Sequence, residues 1–158
     1  MKVLKHILIG FVCIPFVLIA VFVLFEIMGM AVNHVSSSRQ TKNIVRIIEE
    51  ELSSAEIVDC YTETGNTSGT GNHVDMLSVV IFKTEDQLTD IEDKLGQYYE
   101  LDEWSFWIEG IKDIETVRRE HNYLYPYLDN MSIPEHTENG YLLYLNMSAP
   151  FPDNIEGH

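Results

Sequence analysis

"ILIGFVCIPFVLIAVFVLF", residues 7–25, is a run of nineteen residues without a charge in a chain of 158. At about 1.5 Å per residue a helix of this length covers roughly 28 Å, close to the roughly 30 Å of hydrocarbon in a bilayer. Lipid offers the backbone no hydrogen-bond partner, so the run is expected to be helical throughout, with Gly10 and Pro15 absorbed as a local kink. It is longer than the apolar region of a secretory leader, roughly 7–15 residues. The one small-residue cleavage candidate, Gly29-Met30-Ala31, comes only after the whole run and the charged Glu26. The reading is a retained signal-anchor that spans the bilayer once through residues 7–25, with Cys13 as a small apolar side chain inside it. Lys2 and Lys5 sit at its N-terminal edge, whereas Arg39 and Lys42 lie well beyond Glu26. That proximity places the N-terminus in the cytoplasm and the body of the protein outside.

Working outward, the chain divides into a short basic flank (1–6), a transmembrane signal-anchor helix (7–32), a juxtamembrane linker (33–40) and an acidic domain (41–158). The linker, "NHVSSSRQ", is polar and small, and reads equally as the start of a helix capped by one of its serines. Residues 33–158 hold eight Lys or Arg and twenty-four Asp or Glu, a formal charge of −16. Phosphate backbones are repelled by such a body, which excludes nucleic acid as a partner class. A protein or envelope component remains possible as a partner, and oligomeric state is not legible. Only Cys60 lies outside the span, so the domain has no internal disulfide and is held by packing; as a strand cysteine, Cys60 is expected to be buried.

Periodicity then gives the elements. From Thr41, the residues Ile44, Ile47, Ile48 and Leu52 recur at helical spacing, predicting an amphipathic helix ending near Ala55. "EIVDCYT" and "HVDMLSVVIFKT" are β-branched and aromatic runs joined by the turn-rich "ETGNTSGTGN", a hairpin with a flexible tip. A helix over 84–101 is expected next, capped by Thr84 and burying Leu88, Ile91, Leu95 and Tyr98 or Tyr99. "EWSFWIEGI" predicts a strand with Trp104, Phe106 and Ile108 on one face and Trp107 on the other, where it either meets a covering helix or offers a contact surface. Ile114, Val117, His121 and Leu124 or Tyr125 suggest a helix that Pro126 ends or kinks; "NGYLLYLNMS" is a final strand and "APFPDNIEGH" an irregular tail. The fold class is therefore α+β: an N-terminal transmembrane helix followed by a two-layer domain with a sheet of about four strands and two to three helices. Any parallel β-α-β step should cross over right-handedly.

Chemistry is sparse. The glycine loop has neither a P-loop Gly-Lys-Ser/Thr nor a GxGxxG pattern, and His73, His121, His136 and His158 show no HExxH or finger spacing, so no cofactor or metal is expected. His73-Val74-Asp75 could place two ligands on one face of a strand. The binding candidates are Gly65, Asn66, Gly69, Gly71 and Asn72 in the mobile loop, where partner contacts concentrate, together with Trp104 and Trp107. The expectation is a non-catalytic binding or accessory domain. Two alternatives stand beside it. One is an envelope-bound hydrolase or thiol enzyme using Cys60 with a histidine. The other is a pilin-like structural subunit: basic residues before Gly10-Phe11 are similar to the processing site of type IV pilins, although Ile7, Leu8 and Ile9 precede the glycine and Pro15 stands where those proteins carry Glu.

Overall fold

The computed structural model describes residues 2–69, 71–111, 114–133 and 139–158. Its dominant element is one unbroken helix, α1 (Lys2–Glu51), fifty residues long. The most apolar 18-residue window of α1 has a mean hydropathy of 2.8 and none of it is buried against the protein, so the helix is long and apolar enough to cross a membrane near the N-terminus. Residues 33–40, read from their polarity as a linker or a helix start, are helical and continuous with what precedes them. Ser54, with φ of 53°, turns the chain out of the helix in the left-handed conformation.

The rest of the chain builds a four-stranded, wholly antiparallel sheet from β1 (Glu56–Gly65), β2 (Asp75–Lys83), β3 (Phe106–Gly110) and β4 (Gly140–Ser148), in the order β1-β2-β4-β3. The expected hairpin is β1–β2, pairing Glu56 with Lys83 at one end and Gly65 with Asp75 at the other. Neighbouring strands being antiparallel throughout, the right-handed crossover rule has no adjacent parallel pair to act on. The central strands β2 and β4 read as continuous apolar runs because both their faces are covered. On one face Ile44, Ile47, Ile48 and Leu52 of α1 and Ile91 and Leu95 of α2 (Leu88–Leu95) pack on Val80, Phe82, Phe106, Ile108 and Leu143. On the other, Val117 of α3 (Ile114–Glu120) joins Leu124, Leu128 of α4 (Tyr125–Leu128) and Met131 over Leu77, Val79, Ile81, Leu142 and Tyr144. This α+β layout is the expected one, with the short α3–α4 segment adding cover on the second face. Pro126 falls in the first turn of α4, where a missing N–H costs nothing, so it restarts a helix after the break at His121.

The face of α1 between the apolar run and the core is polar but not solvated. Asn33, Ser37, Gln40 and Thr41 are all buried, spaced so that one side of the helix carries them in line with Ile44 and Ile48. Ser37 Oγ donates to the Glu63 carbonyl at 3.0 Å, Gln40 Nε2 to the Met76 carbonyl at 2.9 Å and to Ser78 Oγ at 3.1 Å, and Thr41 Oγ1 lies 2.7 Å from both Thr62 Oγ1 and Ser78 Oγ. Each is a hydrogen bond that replaces one to water and fixes the helix's rotation against the sheet, although Gln40 Oε1 is buried without a partner and adds a penalty of its own.

The C-terminal tail is the second departure from a loosely tethered domain. Phe151 exchanges two bonds with the buried Asn33 side chain: Asn33 Nδ2 donates to its carbonyl at 3.0 Å and its N–H donates to Asn33 Oδ1 at 2.9 Å. Asn154 Nδ2 donates to the Glu26 carbonyl at 2.9 Å, the Ile155 N–H to Glu26 Oε2 at 3.0 Å, and Glu156 lies 2.6 Å from His34 Nε2. Gly29 is the helix residue over which the tail crosses, since a Cβ there would sit 2.7 Å from Asn154 Nδ2. The irregular tail is thus a clasp on the helix just after its apolar run.

Thr84 does not cap α2, as its position suggested. It is buried and donates to the Ser53 carbonyl at 2.7 Å, while Gln87 takes the N-cap position without a side-chain bond. Asp86 accepts from the Ser53 N–H at 2.7 Å and from Lys94 Nζ at 3.0 Å, tying the end of α1 to the start of α2. The Ser53 N–H is the largest influence holding the Asp86 carboxyl below its usual range; burial opposes it, and Lys94 adds to the lowering. A carboxylate with a lowered folded-state pKa stabilises the fold above the unfolded value of about 3.9, and that contribution is lost as pH falls through the lowered pKa. Asp86→Asn is therefore expected to melt below the wild type at pH 7, with the gap closing below about pH 4; a gap independent of pH in parallel thermal melts would show that the ionised form is not what matters.

Candidate functional site

β3 is an edge strand, so the α3–α4 layer that seals β2 and β4 reaches it only partly. Trp107 is the residue left at that boundary. It pairs across the sheet with Tyr144 in register, and their rings stack with centroids 5.2 Å apart at 11°. His121, just past the end of α3, stacks on Trp107 at 4.3 Å and 17°, so the indole lies between two rings. Tyr123 stands edge-on to both His121 and Tyr144, at 5.9 and 6.0 Å. Nearly parallel and perpendicular rings at these separations are the two favoured aromatic geometries.

This group forms one wall of a cleft of about 880 Å³, open to solvent on one side, that Thr67, Ser68, Glu103 and Trp104 complete. The expected face of alternating residues fails at one point. Phe106 and Ile108 are buried against α1 and α2, but Trp104 precedes β3 in a turn held by Asp102, which accepts from the Trp104 and Ser105 N–H groups, and its ring is 77% exposed. Both of the chain's tryptophans therefore line one cleft.

The glycine loop reaches the same cleft through Thr67 and Ser68, whose hydroxyls donate to Asn146 Oδ1 at 3.1 Å and to Asp75 Oδ2 at 2.7 Å. The loop residues named from sequence lie behind these two. Gly65, Gly69 and Gly71 supply positive φ values of 149°, 66° and 129° that bend the loop, Asn66 Nδ2 donates to the Gly71 carbonyl, and Asn72 is exposed. Gly65, Asn66, Gly69, Gly71 and Asn72 do not line the cleft; Thr67, Ser68, Tyr123, Tyr144 and His121 do. Tyr144 was legible only as a strand residue, because its partnership with Trp107 is set by the β3–β4 register, which no local pattern encodes.

Apart from the exposed Glu103, the titratable groups of the cleft are paired or shielded. Glu109 Oε2 lies 2.6 Å from His121 Nε2. Burial pushes the Tyr144 hydroxyl up to about 12, opposed by its hydrogen bond to Asn146, and burial likewise raises Tyr123. Neither phenol is a base near neutral pH. Among the described residues the lining holds two carboxylates, Glu103 and Glu109, and no Lys or Arg.

Cys60 is a correction: it is exposed, not buried, because β1 is the other edge of the sheet. Its thiol is raised first by partial burial and then by Asp59, which keeps thiolate scarce at neutral pH. The two described histidines nearest in role bond elsewhere, His121 to Glu109 and His73 to Ser148 Oγ at 2.9 Å. The His73–Asp75 pairing suggested by alternation exists, at 3.5 Å, but no cluster of three metal-ligating side chains forms among the described residues. His136 lies outside the described residues. No known family model, curated protein or solved structure matches the chain.

Proposed function

We propose that the chain is a single-pass membrane protein that holds its acidic domain close to the extracytoplasmic face of the bilayer and binds a ligand, without catalysis, in the aromatic cleft. The observation that carries this reading is the convergence of both tryptophans, two tyrosines and the glycine-loop hydroxyls on one open cleft, in a body whose first helix leaves its apolar half uncovered. Exposed contiguous apolar surface of that extent needs a solvent other than water. The paired state of Glu109 and His121 and the raised tyrosines support binding over acid–base work. The expected result is that the full-length protein pellets with membranes after alkaline carbonate extraction, and that protease added to intact cells removes the domain. Recovery in the carbonate supernatant would overturn the anchor, and complete protection in intact but not permeabilised cells would overturn the orientation.

The unbroken α1 favours a second reading, a pilin-like structural subunit whose apolar half-helix packs against copies of itself. That reading requires cleavage after Gly10. An intact mass lacking residues 1–10 would support it, and a mass that includes them would sink it.

A further inference from the structure

Resting on the reading of the cleft as a ligand site, we infer that the ligand it takes is an organic ammonium group, quaternary in its best form. Of the polar side chains that line the cleft, Thr67 is engaged with Asn146, Ser68 with Asp75 and His121 with Glu109, and Tyr123 Oη lies 3.3 Å from His121 Nδ1, while the Trp107 indole N–H is buried without a partner. What remains for a ligand is mostly aromatic surface and negative charge, with one indole N–H besides. Trp104 offers an exposed ring, Tyr123 a half-exposed one, and Glu103 at the rim has no ion-pair partner among the described residues. Among the described residues no lysine or arginine lines the cleft, and residues 33–158 carry a formal −16. An anion is repelled from such a surface, and a sugar finds few of the donors and acceptors its hydroxyls require. A methylated ammonium needs no directional partner: it is attracted to the negative faces of aromatic rings and to nearby carboxylates, and its methyl groups fill apolar space.

The cleft also lies at the end of the sheet nearest the apolar run. Its loop follows Gly65, which neighbours the Glu156 carbonyl of the tail clasp on Glu26 and His34. The ammonium can therefore arrive on a soluble compound or on a zwitterionic lipid headgroup, and the test separates the two.

Because both tryptophans line the cleft, tryptophan emission excited selectively over tyrosine reports on it alone. The full-length protein in a polyoxyethylene detergent, which carries neither ammonium nor sugar, is titrated with choline and with its uncharged isostere 3,3-dimethylbutanol. Choline is expected to shift the emission saturably, with an affinity that falls as salt rises, and the isostere to act at least 10-fold more weakly. Trp104→Ala, at an exposed position that leaves the core untouched, is expected to weaken choline binding by about 5- to 30-fold. Glu103→Gln should weaken it less and flatten the salt dependence. In nanodiscs of phosphatidylcholine against phosphatidylglycerol, a lipid source gives an emission already shifted in the former and unresponsive to added choline; a soluble source gives the same choline response in both. Equal response to choline and its isostere, or no response to choline in any arm, overturns the ammonium assignment. A saturable response to a neutral oligosaccharide alone overturns the ligand class while leaving the cleft a binding site, and cell fractionation of the same protein reports separately on the anchor.

Discussion

A chain that begins at Ser53 will fail to fold, whereas one that begins at Gly29 will melt cooperatively without detergent. The reason is that the C-terminal half of α1 is a core element of the domain. Ile44, Ile47, Ile48 and Leu52 are at most 5% exposed and cover the face formed by Val80, Phe82 and Leu143. Burying each such side chain stabilises by about 1.5–3 kcal/mol, so the four together contribute roughly 6–12 kcal/mol. Domains of this size have about 5–15 kcal/mol in total. Loss of the helix therefore removes most or all of the net stability and bares a sheet face that invites aggregation. Near-UV circular dichroism and urea melts of the two shortened chains decide it. A cooperative transition in the chain from Ser53 would show that the sheet and the α3–α4 layer suffice, and that α1 is only an attachment.

Asn33→Ala is expected to free the tail and to lower stability by about 2–4 kcal/mol, the largest effect of any single polar substitution here. Asn33 is fully buried and its amide satisfies both backbone groups of Phe151. Alanine leaves a donor and an acceptor without partners, at about 1–3 kcal/mol each, unless the segment detaches and returns them to water. Detachment limits the loss to the clasp's own contacts, which include Asn154 on Glu26 and the edge-on pair of Phe25 and Phe151 rings at 5.7 Å. Amide exchange over residues 149–158 should accelerate far more than that of β2, and carboxypeptidase should trim the variant first. His34→Ala is the control: its ring is 60% exposed, its contact with Glu156 is screened, and a small effect is expected. Unchanged protection of the tail in Asn33→Ala would mean that Glu26 and Gly29 hold it unaided.

Much of the architecture could be read locally. The nineteen-residue apolar run, the β1–β2 hairpin and the strand β4 follow from composition and period, because each is written in consecutive residues. Residues 33–40 were opaque for a physical reason: polarity usually marks solvent, and here Asn33, Ser37, Gln40 and Thr41 are polar because they face strand carbonyls and hydroxyls. Their four- and three-residue spacing, continuous with Ile44 and Ile48, was the signal available. Cys60 and Trp104 were misplaced because strand alternation gives the face of a residue but not whether its strand is an edge or where the strand starts. The cleft was half legible. Its tryptophans and loop stand out as residue types, but Tyr123, Tyr144 and His121 reach them only through register and the break after α3.

The clasp and the unbroken α1 together abolish any swivel between the apolar run and the cleft. Tilt or rotation at one end must then be transmitted to the other as in a rigid lever, and, on the proposed single-pass reading, the compass bearing of the cleft around the bilayer normal is dictated by how the apolar end is gripped by its neighbours. One residue inserted between Phe25 and Glu26 would swing that bearing by about 100° and raise the body by about 1.5 Å, at the cost of the Phe25–Phe151 ring pair but with the contacts from Glu26 onward intact.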